Sequence, residues 1–123
     1  MLFYYAIGLF ITILWIGRRR STTSAVSINK LTRQTARWAT AAQQDQSPLI
    51  ALLHANYATG YLGALKDIAT TRQINSASGI DVKKFEEHIL NVQNSVTQKV
   101  LKECPDFAGK GVDLYLSSIA GEG

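Results

Sequence analysis

Only one cysteine, Cys104, and two prolines, Pro48 and Pro105, occur in the 123 residues of the chain. A single cysteine excludes an internal disulfide, and a zinc site would need further ligands at short spacing. Packed as a small apolar residue at a helix end, it fits a domain in reducing surroundings. Charge is scarce too: ionisable Asp, Glu, Lys and Arg make up 18% of residues, against the usual quarter. The scarcity is local, because residues 1–17 carry no ionisable side chain other than Tyr4 and Tyr5.

Sites for chemistry are equally sparse. Gly60 and Gly63 lie inside an apolar helical pattern, and Gly109 and Gly111 follow no convincing strand, so no phosphate-binding loop is predicted. No serine sits in a nucleophile elbow. His54 and His88 each stand alone on a helix. The residues three and four positions from His54 are Ile50, Ala51, Tyr57 and Ala58, none a carboxylate that could orient a catalytic base. Glu86 and Glu87 are adjacent and splay apart around their helix. The expectation is a non-enzymatic protein with no cofactor, no metal and no small-molecule substrate. There is no internal repeat and no low-complexity tract.

What the chain does have is an apolar N-terminus that runs straight into arginines, FITILWIGRRRS. Leu2–Gly17 would span about 24 Å as a helix, short of the ~30 Å hydrocarbon core. Tyr4 and Tyr5 near one end and Trp15 near the other are placed as interfacial aromatics, and the stems of Arg18, Arg19 and Arg20 can snorkel. A secretory signal would carry its charge before the apolar run and a small-x-small site after it. The order here is reversed, so residues 1–20 read as a transmembrane anchor with an arginine stop. The positive side stays cytosolic, which puts the C-terminal domain on the cytosolic or topologically equivalent face. Residues 18–37 hold six bases and no acid, whereas Trp38 onward holds seven bases against nine acids. The basic character of the chain, +4 overall, therefore belongs to the stretch beside the apolar run, and suggests anionic lipid before nucleic acid.

The remainder is predicted all-α. Residues 21–46 read as a small-polar linker or frayed helix start, Ser21–Ser27, followed by a basic juxtamembrane helix. Its apolar seam is Ile28, Leu31, Thr35, Trp38 and Ala42, with Lys30, Arg33 and Arg37 on the opposite side. That basic stripe, with Trp38 at headgroup level, has two readings. It could lie on lipid, or it could stay solvated while the seam packs on the domain. Residues 47–123 form a small helical domain with a glycine-rich tail. Ser47 and Pro48 are an N-cap and first-turn proline. Leu49, Leu53, Tyr57, Tyr61, Leu65 and Ile68 make one face of the helix that follows. The small residues beside it, including Gly60, Gly63 and Ala64, suggest close approach by another helix; Tyr57 and Tyr61 complete the packing set. Thr70–Ser78 reads as a loop or helical turn, and Gly79 as a left-handed helix end. Asp81 caps a helix along Val82, Phe85, Ile89, Val92, Val96 and Val100 that Pro105 stops. In the tail, Val112, Leu116 and Ile119 favour a short helix over an edge strand through Val112, Leu114 and Leu116.

The stretch LLHANYATGYLGALKDIATTRQINSASGIDVKKFEEHI resembles small membrane-anchored virion proteins, of the minor capsid or inner-membrane kind, of large algal DNA viruses. The resemblance covers residues 47–105 and carries no chemical motif, so it implies no site residues. It implies a structural role, tethering an internal virion membrane to the capsid shell. The expected function is therefore a membrane-anchored structural subunit whose partners are the lipid bilayer and other protein subunits, with nucleic acid not expected. A peripheral lipid-binding or membrane-shaping protein, acting through the basic helix, is the alternative.

Overall fold

The computed structural model describes residues 1–108 and 114–121, with backbone alone at residues 19–23, 114 and 117. The described residues are helical, with no strand among them: α1 Leu2–Gln44, α2 Pro48–Ile68, α3 Thr71–Ser78, α4 Val82–Glu103 and α5 Leu114–Ala120. A single 3-10 turn, Pro105–Phe107, follows α4. In the tail, helix is the outcome over Leu114–Ala120, while Gly109, Gly111, Val112 and Gly123 lie outside the described residues.

Of the two readings of Ser21–Ser27, linker or helix start, the backbone is helical: it runs as one helix through this stretch, so the apolar N-terminal segment and the basic helix are a single 43-residue rod. Against alanine, the six serines, threonines and valine of that stretch cost about 3 kcal/mol of helix propensity together. A break would cost more, since it would orphan four backbone N–H and four C=O groups and require a second nucleation.

Local signals set the other boundaries. Ser47 caps α2, its hydroxyl accepting from the Ile50 N–H, and Pro48 occupies the first turn. Thr70 and Gln73 form a capping box on α3, and Gly79 ends it at φ +72°. The Asp81 carboxylate accepts from the N–H groups of Lys83 and Lys84 to start α4. Asn75 Oδ1 accepts from the Val82 N–H at 2.9 Å, stitching α3 to the start of α4. The Val100 carbonyl accepts the last backbone bond from Cys104, and Pro105 prevents continuation.

α2 is the central helix, with α1 on one side and α4 on the other. The core is three stacked layers. Nearest the α1–α2 turn, Ala42 meets Ala51, Ala55, Val92 and Val96. In the middle, Ala39 meets Ala58, Leu62 and Ile89, with Trp38 and Phe85 at the rim. At the far end, Ile28 meets Leu65, Ile74 and Val82. Residue numbers rise along α2 as they fall along α1 and α4, so α2 is antiparallel to both. The only buried polar side chain described, Thr35, donates its hydroxyl to the Leu31 carbonyl at 2.8 Å and so enters the core without an orphaned group.

The face that α2 buries is not the face its large residues mark. Ala51, Ala55, Ala58, Leu62 and Leu65 are inside, whereas Leu49, Leu53, Tyr57, Tyr61 and Ile68 are 36–56% exposed. Of the large residues expected to form one packing face, only Leu65 is buried. The partners explain the choice: α1 and α4 present Ala39, Ala42, Val92 and Val96, and helices carrying such small residues come close only if α2 is small as well. Replacing Leu65 by Ala should cost about 3 kcal/mol, and Leu53→Ala less than about 0.5 kcal/mol. Urea unfolding of the full chain in mild detergent, followed by far-UV circular dichroism, checks both.

Candidate interaction surfaces

Three surfaces emerge. The first is the N-terminal part of α1, where every residue from Met1 to Arg18 is exposed and, among the residues whose side chains are described, the first buried one is Ile28. Tyr4, Tyr5 and Trp15 are 78%, 75% and 61% exposed, and Phe3 meets Tyr4 edge-on at 6.2 Å. Thr12, the one clearly polar side chain of the apolar stretch, donates to the Gly8 carbonyl at 2.8 Å, so its hydroxyl needs no water. Among the described residues no helix is long and apolar enough to cross a membrane. The expected complete transmembrane span thus finds no support as such. The side chains of Arg19 and Arg20 lie outside what is described.

The second surface is the basic stripe. Lys30, Arg33 and Arg37 are exposed on the side of α1 facing away from the core, and Arg33 Nε donates to the Asn29 carbonyl at 3.3 Å. The seam opposite, from Ile28 through Thr35 to Ala42, is filled by α2 rather than left for lipid. Trp38 does not share the face of the stripe. Its ring is half-buried, with centroids 5.0 Å from His54 and 5.2 Å from Tyr57, the latter edge-on.

The third surface is the outer face of α2. Pro48–Leu65 contains no Asp, Glu, Lys or Arg. Leu49, Ile50, Leu53, Tyr57, Tyr61 and Ile68 line it, with Gly60 and Ala64 exposed among them. Here the expected role of the glycines fails within the chain: a Cβ built on Gly60 or Gly63 meets nothing within 4 Å. No helix of the described residues approaches them. Each glycine costs about 1 kcal/mol of helix propensity relative to alanine, and no contact inside the described fold offsets that cost. Among the described residues, α2 is covered by α1 and α4, with Ile74 of α3 against Leu65, and its outer face is left open.

At the turn end of α2, tertiary structure supplies what the helix alone withheld. Asp45, in the α1–α2 connection, sits 2.5 Å from His54 Nδ1, which donates to Oδ2. Both side chains are about one-fifth exposed. A carboxylate–imidazole pair of this kind can orient a histidine, but the ring packs at a 41° tilt against Trp38, and the pair closes the α1–α2 hairpin. The indole Nε1 of Trp38 is buried without a hydrogen-bond partner. A groove of about 460 Å³ opens beside this turn, floored by Ala42, Ala51 and Val92 and edged by Asp45, His88 and Lys99. Among the described residues there is no cluster of His, Cys, Asp or Glu able to hold a metal. Cys104 is half-buried and free. On the other flank of α2, Lys66 pairs with Glu86 at 2.5 Å and the Gln93 amide donates to Asn56 at 2.9 Å, both fixing α4.

Comparison with family models, with curated proteins and with solved structures finds no match. A double-mutant cycle over Asp45→Asn and His54→Gln should give a coupling of about 1 kcal/mol in unfolding free energy, read from denaturant midpoints.

Proposed function

We propose that the protein is a non-enzymatic, membrane-anchored structural subunit that displays its helical domain to protein partners on the cytosolic or topologically equivalent side. The observation that carries this reading is the exposed apolar rod of α1, continuous with the wall of a packed domain. Water is a poor environment for a helix bearing Phe3, Leu9, Phe10, Ile11, Ile13, Leu14 and Ile16 all half or more exposed. A bilayer is a good one. Two features support it: the internally bonded Thr12 hydroxyl, and aromatic residues near both ends of the stretch. The length remains short, about 24 Å, so insertion relies on snorkelling arginines and local thinning.

The continuity of α1 also weighs against the alternative of a basic helix lying flat on lipid. If the N-terminal stretch is inserted upright, Lys30 stands about 18 Å and Arg37 about 28 Å beyond Arg18 along the helix. Both distances exceed the ~8 Å Debye length at physiological salt, so the stripe is held off its own membrane. It would then face a partner carrying acidic groups. A tether between an internal membrane and a capsid shell, which the resemblance of residues 47–105 implies, has the same geometry: lipid at one end of the rod, protein partners at the other.

Vesicle flotation separates the readings. The full chain should float with anionic or neutral vesicles and stay bound through 1 M salt and alkaline carbonate, and a chain lacking residues 1–20 should not float. Release by salt, or loss of binding on reversing the charges of Lys30, Arg33 and Arg37, would favour the peripheral lipid-binding protein instead.

A further inference from the structure

We infer that the basic stripe of α1 is a docking surface for an acidic α-helix of a partner protein, lying alongside α1. The inference rests on the reading of a structural subunit with protein partners and names the chemistry of that partner.

Sign comes first. α1 contains no Asp or Glu along its 43 residues, so none of its bases has a carboxylate three or four positions away within the helix. Lys30 and Arg33 are three apart, and Arg33 and Arg37 four apart, spacings at which like charges repel. α4 shows an ordinary solvated face in the same fold, with Lys83 followed four residues on by Glu87. The ion pairs described, Asp45–His54 and Lys66–Glu86, lie elsewhere, and no described carboxylate pairs with Lys30, Arg33 or Arg37. Neutralising the stripe is left to a group outside the described fold.

Geometry comes second. At the helical repeat, Val26, Lys30, Arg33, Arg37, Thr40 and Gln44 fall on the face opposite the buried Ile28, Thr35, Ala39 and Ala42. All six are exposed. Lys30, Arg33 and Arg37, with Gln34, line one shallow groove of about 380 Å³, where an entering carboxylate meets more than one donor. Arg33 Nε is bonded to the Asn29 carbonyl, which leaves the two terminal amino groups for an end-on fork. The Thr40 hydroxyl donates to the Ala36 carbonyl at 2.8 Å, so Val26 and Thr40 extend the face without a donor that needs water.

Spacing selects the partner. The three cations stand at successive rises of about 4.5 and 6 Å along α1. A helix carrying glutamates three and four residues apart repeats those rises and can meet all three at once. A nucleic-acid strand finds no ring on this face to stack a base upon, since Trp38 packs on His54 and Tyr57. In the anchored arrangement the stripe also stands beyond the reach of its own lipid headgroups.

The test titrates the ¹⁵N-labelled full chain, in nanodiscs of zwitterionic lipid at low salt, with three probes. The first is a capped alanine–glutamine helix with glutamates at alternating three- and four-residue steps. The second has the same composition with the glutamates spread around the helix. The third is a thymidine oligonucleotide of equal charge. The striped helix should bind about fivefold more tightly than either, shifting the amide signals of residues 30–37 first. Lys30→Glu, Arg33→Glu and Arg37→Glu together should weaken it about tenfold while leaving flotation and the thermal midpoint unchanged. The same charge change on α4, at Lys83, Lys84 and Lys99, should weaken it by less than about twofold. Equal binding of the two peptides, or equal loss in the two triple variants, reduces the stripe to part of a general field and overturns the proposal. Tighter binding of the oligonucleotide assigns the stripe to nucleic acid and overturns it. Shifts at residues 30–37 caused by anionic lipid in the nanodisc alone assign it to the membrane and also overturn it. A chain that does not float with neutral vesicles overturns the anchored reading alone, and the same titration in free solution then decides the docking surface.

Discussion

α2 meets its neighbours through alanine. Ala51, Ala55 and Ala58 let α1 and α4 come close enough for Ala39, Ala42, Val92 and Val96 to fill the space between them. Once the small residues point inward, the rest of the molecule follows. The bulky residues of the same helix must point outward, and the seam of α1 from Ile28 to Ala42 is consumed by protein contacts. The basic stripe is thereby turned to solvent. Over its first three turns α2 contributes only alanines to the core, and most of its larger apolar side chains stay exposed. That inversion is what leaves a large apolar surface exposed on α2.

The second constraint is the unbroken backbone of α1. In the proposed anchored arrangement, a flexible linker between the apolar segment and the domain would let the domain tumble and let the basic stripe fall onto lipid. A continuous helix permits neither motion. It transmits the orientation of the apolar segment to the domain, sets the height of Lys30, Arg33 and Arg37, and aligns α2 with the rod. The glycines of α2 and the basic stripe of α1 are thereby held in fixed placement relative to one another.

Much of this was legible in the sequence because it is local. Ser47, Pro48, Gly79, Asp81 and Pro105 each fix a helix end through hydrogen bonds or dihedral limits spanning only a few residues, and all act where expected. The core face of α4 was legible for another reason: Lys83, Lys84, Glu87, Asn91, Asn94 and Gln98 mark its outside unambiguously. α2 carries no such marker along Pro48–Leu65, so size was the only guide to its inner face, and size pointed the wrong way. The helical path through Ser21–Ser27 was hidden because low propensity there is outweighed by the cost of two new helix ends, a comparison that composition does not display. The Asp45–His54 pair spans nine residues across a turn. It forms only once α1 and α2 fold against each other, so it is invisible three and four residues along one helix.

The central claim is that the apolar N-terminal segment and the domain are one rigid body. Nitroxide labels placed singly at residues 18 to 30 of the full chain in bilayers report it most directly, through side-chain mobility and accessibility to oxygen and to an aqueous relaxant. A continuous rod predicts low mobility throughout, with accessibility oscillating at 3.6 residues and in one phase from 18 to 30. Uniformly high mobility over residues 21–27, with the periodicity lost there, would contradict the account.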